Sequence, residues 1–218
     1  LLMPMTLKEV LFPGGKLKEY KDCKGKALSI PLGQRFFLGN GNKHHYTYYI
    51  IRKLFPGSTL FLIDNHFDFH HYTTKSVTCG NWVKCLLRDN LVRKVFYLDL
   101  LKEHDAKEIF QMSSKGFHII NCEAQLKLAL RGNRLNYLSV DLDVLPIQSE
   151  WGTGLIDKNH LFRWIRYLRQ QMAAIDFCGY SEMATSNGKQ KLSKKGTFPR
   201  SILTLGELKE HLRRYKIV

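Results

Sequence analysis

Two short segments carry most of the chemistry this chain can do: Asp64-Asn65-His66-Phe67-Asp68 and Ser139-Val140-Asp141-Leu142-Asp143. Each begins where an apolar run stops, Thr59-Leu60-Phe61-Leu62-Ile63 before the first and Leu135-Asn136-Tyr137-Leu138 before the second. Runs of that kind read as buried strands of an α/β sheet. In an extended chain alternate side chains point the same way, so Asp64, His66 and Asp68 are expected to converge, as are Asp141 and Asp143. Carboxylates crowded into one pocket need cations to neutralise them, and metal ions are the natural choice.

A third segment completes the set. Gly39-Asn40-Gly41-Asn42-Lys43-His44-His45 follows the strand-like run Arg35-Phe36-Phe37-Leu38 and leads into Tyr46 to Leu54, which has helical length and an apolar face. A histidine at a strand-to-helix turn lies at the carboxyl edge of the sheet, where open α/β folds place their sites. The sum is two imidazoles, His44 and His66, and four carboxylates, Asp64, Asp68, Asp141 and Asp143. That mixed nitrogen and oxygen set suits Mn²⁺, with Fe²⁺, Co²⁺ or Zn²⁺ as alternatives, and is too rich in nitrogen for Mg²⁺ or Ca²⁺. An isolated Asp-x-Asp after a strand is an ordinary cap or turn. Three ligand-rich windows, each at a strand end, are what single these residues out.

In this order, His, then Asp-x-His-x-Asp, then Ser-x-Asp-x-Asp, the chain resembles the ureohydrolase family: arginase, agmatinase and formiminoglutamase, binuclear manganese hydrolases of the arginase/deacetylase fold. The resemblance runs from residue 27 to about 185 and implies two Mn²⁺ per chain. His44 and Asp68 would hold one ion and His66 and Asp143 the other, with Asp64 and Asp141 bridging. It further implies that Asp68 holds the attacking hydroxide and carries its proton to the leaving nitrogen. Thr153, in Gly152-Thr153-Gly154, is similar to the family's Thr-Gly-Thr segment at the substrate. Glu182 resembles the glutamate that clamps the guanidinium, a geometry a carboxylate offers by paired hydrogen bonds. The reaction so implied cleaves a guanidino group to urea and an amine.

The departures bear on substrate. The loop after the first motif, Phe69-His70-His71-Tyr72-Thr73-Thr74, lacks the asparagine that holds the amino-acid end of free arginine in arginases. The family's proton-shuttling histidine is absent from Gly80-Asn81-Trp82-Val83, so His70 or His71 is the candidate for that role. Val144-Leu145-Pro146 stands where the family has Asp-Pro. The Asn81-Trp82 pair and the His44-His45 doublet resemble an offshoot of the fold to which the peptide arginases belong, with Asn81 at the substrate. Those enzymes convert arginine within a peptide to ornithine. A net charge of +15 repels a small cation and attracts an acidic polymer, such as an acidic leader peptide.

Two rival readings stay open. A deacetylase-like amidohydrolase of the same fold would use one Zn²⁺, the pair His44-His45 and a tyrosine such as Tyr180. A basic, non-catalytic nucleic-acid-binding protein would use the charge alone, but the basic residues are spread along the chain without a recognisable binding motif.

What must position these residues is legible from the alternation of elements. Strand candidates at 27–31, 35–39, 59–64, 94–99, 116–121, 137–142 and 174–180 are separated by helix candidates at 44–54, 80–89, 103–111, 123–131 and 160–172, with a last helix at 205–215. That order predicts an α/β fold, three layers αβα with a mostly parallel sheet. The length, 218 residues, suits one domain spanning 1–218. The basic stretch 186–201 reads as a surface loop over the mouth of the site. Five cysteines without Cys-x-x-Cys pairing read as reduced, cytoplasmic usage. No apolar run is long enough for a membrane span, and Leu1-Leu2-Met3-Pro4-Met5 lacks the features of a signal peptide. The family resemblance also implies a homo-oligomer.

Overall fold

Apolar runs of strand length become strands wherever both of their faces can be covered, and here they do so around one parallel sheet. The computed structural model describes residues 17–21, 27–31, 33–70, 76–99, 116–131, 135–146, 156–180 and 203–217. β1 (Leu17–Lys21) and β2 (Ala27–Pro31) pair antiparallel as a separate two-stranded sheet. β3 (Gln34–Gly39), β4 (Ser58–Ile63), β5 (Val92–Leu98), β6 (Phe117–Ile120), β7 (Asn136–Asp141) and β8 (Ala174–Cys178) form the main sheet in the order β3-β8-β7-β4-β5-β6, all neighbours parallel. β4, β7 and β8 are buried along their whole length, which is why they read as mostly apolar runs, and the polar residues inside them, Ser139 and Asp176 among them, are buried too.

Two apolar layers cover the sheet. On one face, α1 (Tyr46–Leu54) and α2 (Trp82–Arg88) bury Ile50, Ile51, Val83 and Leu86 against Leu60, Leu62 and Tyr137. On the other, α3 (Glu123–Ala129), α4 (Lys158–Leu168) and α5 (Leu205–Arg214) bury Leu126, Leu161, Ile165, Leu208 and Leu212 against Phe61, Ile63, Leu138 and Val140. Alternation along each strand sends even and odd residues to opposite layers. Each fully buried Leu, Ile or Phe contributes roughly 1.5–3 kcal/mol. α4 is started by Asp157, whose carboxylate accepts from His160 N–H, and α5 by a Thr204/Glu207 capping box. The result is the expected three-layer αβα fold.

Several expected boundaries shift. The helix expected over 160–172 begins at Lys158, ends at Leu168 and tightens into a 3₁₀ turn over Arg169–Gln171. β1 was not expected, because Leu17-Lys18-Glu19-Tyr20-Lys21 carries three charges; among the described residues it pairs with β2 alone. The helix expected over 103–111 and the loop expected over 186–201 lie outside the described residues. Among the described residues no helix is long and apolar enough to cross a membrane.

β3, β8, β7 and β4 lie side by side and run the same way, so their carboxyl ends share one edge. At or just beyond those ends stand His44, Gly179, Asp141 and Asp64. This edge positions the site.

Candidate metal centre

Each segment reaches the edge by its own local device. After β3, a 3₁₀ turn over Gly41–Lys43 carries His44 back toward the sheet, and His44 N–H donates to Gly41 O at 3.0 Å. β4 ends at Ile63, so Asp64 alone leaves the strand in register. The expected extended alternation through His66 to Asp68 does not occur: the chain bends at Asn65–His66 and Asp68 takes the left-handed conformation, φ 48°. Its carboxylate converges on Asp64 through that strained turn. Asp141 ends β7, and a 3₁₀ turn over Leu142–Val144 then brings Asp143 round, its N–H donating to Asp141 Oδ1 at 3.0 Å. Gly179, after β8, has φ +78°, and a Cβ there would collide with Asp141 Oδ1 and lie 2.9 Å from Leu142 N. Only glycine fits beside the aspartate.

All six side chains meet. His44 Nδ1 lies 3.1 Å from Asp64 Oδ2, 3.1 Å from Asp68 Oδ2 and 3.5 Å from Asp141 Oδ2. His66 Nδ1 lies 2.9 Å from Asp143 Oδ2 and 3.6 Å from Asp64 Oδ1. Asp64 therefore turns one oxygen to each imidazole. Backbone donors steady the carboxylates: His66 N–H to Asp64 Oδ1 at 2.8 Å and Asn65 N–H to Asp143 Oδ1 at 3.1 Å. The Tyr97 hydroxyl fixes the backbone beneath by donating to Asp64 O at 2.6 Å.

The electrostatics are those of a cluster that calls for cations. Burial pushes Asp68 up to about 7, helped by the charge of Asp64. Burial likewise raises Asp141, with Asp143 and Asp64 adding to it, and raises Asp143, with Asp64 adding to it. Burial also opposes charge on Asp64, but His44 and His66 outweigh it and hold that carboxyl down at about 2. Asp143 and Asp64 push His66 up to about 11. Two carboxylate charges ~4 Å apart repel by about 4 kcal/mol at an effective dielectric near 20.

A hydrogen-bond relay sets the tautomer of His44. Asp176 is fully buried and accepts from Thr47 Oγ1 at 2.7 Å, Tyr137 OH at 2.7 Å and Ser139 Oγ at 2.6 Å. The serine's one proton is thereby committed, so Ser139 Oγ accepts from His44 Nε2–H at 2.8 Å. With a cation bound, Nδ1 would be the lone pair facing three carboxylates. Without one, burial lowers the His44 pKa, but Cys178, Asp64 and Asp68 outweigh it and hold it well above the ordinary value. A cation would take the place of that proton. His44 Nδ1 and Asp64 Oδ2 are buried without a hydrogen-bond partner, since their close contact lacks the required angles. Such atoms are expensive to leave unsatisfied, and a divalent cation answers both. The residues fit a metal.

The relay gives a test. In Asp176→Asn the amide nitrogen displaces one acceptor, Ser139 turns its proton to His44 Nε2, and Nδ1 becomes the protonated, non-ligating nitrogen. Metal affinity should fall about 10- to 100-fold by calorimetric titration. Thr47→Val, which leaves the serine bond in place, should change it little. Unchanged affinity in Asp176→Asn would refute the tautomer assignment. Sequence reading missed this relay, although a lone carboxylate inside the apolar strand Ala174-Ile175-Asp176-Phe177-Cys178 was a signal that it must have buried partners.

A cavity of about 360 Å³ opens above the cluster, lined by Asp64, His66, Asp68, Asp141 and Asp143 together with Gly41, His70, Thr78, Cys79 and Gly80. His70 is exposed at its rim. Asn81, expected at the substrate, is instead buried and does not line the cavity: its carbonyl accepts from Thr78 N–H at 2.7 Å and its amide donates to Ser76 O at 3.1 Å. Trp82, beside it, reaches the cluster directly. Its indole N–H donates to Asp68 Oδ2 at 2.5 Å, and its ring lies 4.7 Å from that of His44. The deacetylase-like constellation is not assembled, because His45 Nδ1 bonds to Asn42 O at 3.0 Å and Tyr180 packs against Phe37 in the opposite core. Thr153, Glu182 and His71 lie outside the described residues.

No family model matches the sequence. An uncharacterised protein of Thermotoga maritima is 29% identical over 145 residues, 66% of this chain and 56% of that protein. The fold is similar to that of formimidoylglutamase from Bacillus subtilis, with TM-score 0.58 and 15% identity over 86% of this chain and 60% of that one. It is also similar to agmatine ureohydrolase of Thermoplasma volcanium, with TM-score 0.53 and 16% identity over 84% and 60%. The chain thus spans 60% or less of the length of each. At such identities the likeness speaks of architecture: the chain has the ureohydrolase fold.

Proposed function

We propose that this chain, as one domain, is a binuclear metal-dependent hydrolase that cleaves a guanidino group to urea and an amine. The observation that carries the reading is Asp64, whose two oxygens face different imidazoles, His44 and His66, as a carboxylate bridging two ions must. His44 and Asp68 would hold one divalent ion and His66 and Asp143 the other, with Asp141 as a further shared ligand; the mixed nitrogen and oxygen donor set suits Mn²⁺. A pair of divalent ions supplies hydroxide at neutral pH.

The chain's own residues do the rest. Trp82 fixes one oxygen of Asp68, and Asp68 accepts the nucleophile's proton and hands it to the leaving nitrogen. His70, at the rim, passes a proton between cavity and solvent. Glu182 clamps the planar guanidinium by paired hydrogen bonds, and Thr153 lies near it; both roles rest on sequence resemblance. No lysine or arginine lines the cavity among the described residues, so a cationic substrate meets carboxylates there with no lysine or arginine to oppose it. The net charge of +15 works the other way at long range, disfavouring small free cations. An arginine carried by an acidic peptide satisfies both, and its product is peptidyl ornithine.

The experiment is urea release by the Mn²⁺-loaded chain with free arginine, agmatine and arginine-containing peptides, and ammonia or formamide release with a formimino amino acid. The peptide should be hydrolysed at least about tenfold faster than free arginine at matched concentration, about 1.4 kcal/mol of discrimination. Equal rates would overturn the peptide assignment; hydrolysis of none of these compounds would overturn the function.

A further inference from the structure

One buried group beside the cluster has no part in the chemistry above. Cys178 ends β8, is fully buried, and pairs in register with Asp141 on β7. One step earlier Asp176 pairs with Ser139, and alternation puts Ser139, Asp141, Asp176 and Cys178 on the same face of the sheet. The relay and the thiol therefore approach His44 from the same two strands. Ligand atoms of His44, Asp141 and Cys178 all lie within 4.8 Å of one another. Atoms sharing one tetrahedral ion at bonds of about 2.0–2.3 Å are about 3.3–3.8 Å apart, which falls inside that limit. The second observation is the orphaned nitrogen: His44 Nδ1 is buried, lacks a hydrogen-bond partner and lies 3.5 Å from Asp141 Oδ2. Gly179, immediately after the cysteine, lets the chain turn without pushing Asp141 away.

We infer that Cys178 is a sulfur ligand of the ion held by His44, so that this half of the centre is a mixed nitrogen, oxygen and sulfur site. The inference rests on the two-ion reading and deepens it. As the sulfur–metal bond forms, the thiol proton leaves to solvent, and no oxidation or reduction is involved. A thiolate is a soft ligand, so this position prefers Zn²⁺, Co²⁺ or Fe²⁺ to Mn²⁺. The position built from His66 and Asp143 has only hard and borderline donors and keeps the Mn²⁺ preference. The two halves of the centre then differ in metal.

The test is a titration of the metal-free full chain with Co²⁺ and Cd²⁺, followed by the near-ultraviolet thiolate-to-metal charge-transfer band. Wild type should develop that band with the first ion bound. C79S, which removes the thiol lining the cavity, should keep it, and both C178S and C178A should lose it. Cd²⁺ affinity at that position should fall in C178S by at least the roughly 10- to 100-fold that even an outer partner's loss costs, with Mn²⁺ affinity changed far less. Two Co²⁺ bound by wild type with no band, or a band that persists in both Cys178 variants, overturns the sulfur ligand and leaves the two-ion reading standing. Failure of wild type to bind Co²⁺ at all overturns the two-ion reading itself.

Discussion

Asp141→Ala should bind markedly less metal than the wild-type chain, which should hold about two ions, and should show no detectable hydrolysis. Asp141 ends β7 at the centre of the shared strand edge, 3.5 Å from His44 Nδ1 through Oδ2, while its Oδ1 accepts from Asp143 N–H. Removing it takes away a donor to the His44 ion and loosens the turn that presents Asp143 to the other. Elemental analysis after dialysis measures the loss. Stability gives an independent reading, because an ion that binds only the native state stabilises it by RT ln(1 + [L]/Kd), about 4 kcal/mol at a thousandfold excess over Kd. Wild type should therefore gain several degrees in Tm on adding Mn²⁺, and Asp141→Ala should gain little. In the absence of metal the difference should shrink, since burial and the neighbouring Asp143 and Asp64 already disfavour charge on Asp141. Ligands must lose their protons to bind metal, so wild-type affinity should rise with pH. Full metal content in Asp141→Ala would end the binuclear assignment.

The sequence made the sheet legible because a parallel strand buried on both faces is mostly apolar, and β4, β7 and β8 are of that kind, with buried polar exceptions such as Ser139 and Asp176. It located the six clustered side chains for the same reason: polar residues that begin where an apolar run stops must sit at a strand end. It did not reveal how they converge. Period-two alternation accounts for Asp64 and Asp141, whereas Asp68 depends on a left-handed residue and Asp143 on a 3₁₀ turn, and neither has a local sequence signature as strong as a strand's. The partners from distant elements were less legible still. Trp82 stood out in the sequence only as half of the Asn81-Trp82 pair, and its role shows once the fold brings its indole N–H to Asp68; Asp176 makes sense only once Thr47, Tyr137 and Ser139 surround it. Asn81 shows the converse. A polar residue next to a recognisable motif need not face the substrate when its amide closes the turn before a helix.

The second large effect is expected at Asp68. Its position is over-determined: the left-handed backbone aims it inward, the Trp82 indole holds Oδ2, and its carboxylate lies against His44 at the floor of the cavity. That much restraint on one side chain is unnecessary for a ligand among several, but it suits a group that must take a proton from the nucleophile and deliver it to one nitrogen of a planar substrate. Asp68→Asn keeps the size and one oxygen, which the indole N–H and the ion would share, and removes the ability to carry a proton at ordinary pH. General-base catalysis of this kind contributes about 10²- to 10⁴-fold, so kcat at saturating Mn²⁺ should fall by roughly that factor, equivalent to about 3–5 kcal/mol. KM should change much less, because the substrate-binding groups are untouched. Asp68→Ala should lose metal as well as activity, and that contrast separates proton transfer from ligation. If Asp68→Asn keeps more than about a tenth of wild-type kcat with both ions bound, the proton is carried by another group, and His70 at the rim is the next residue to replace.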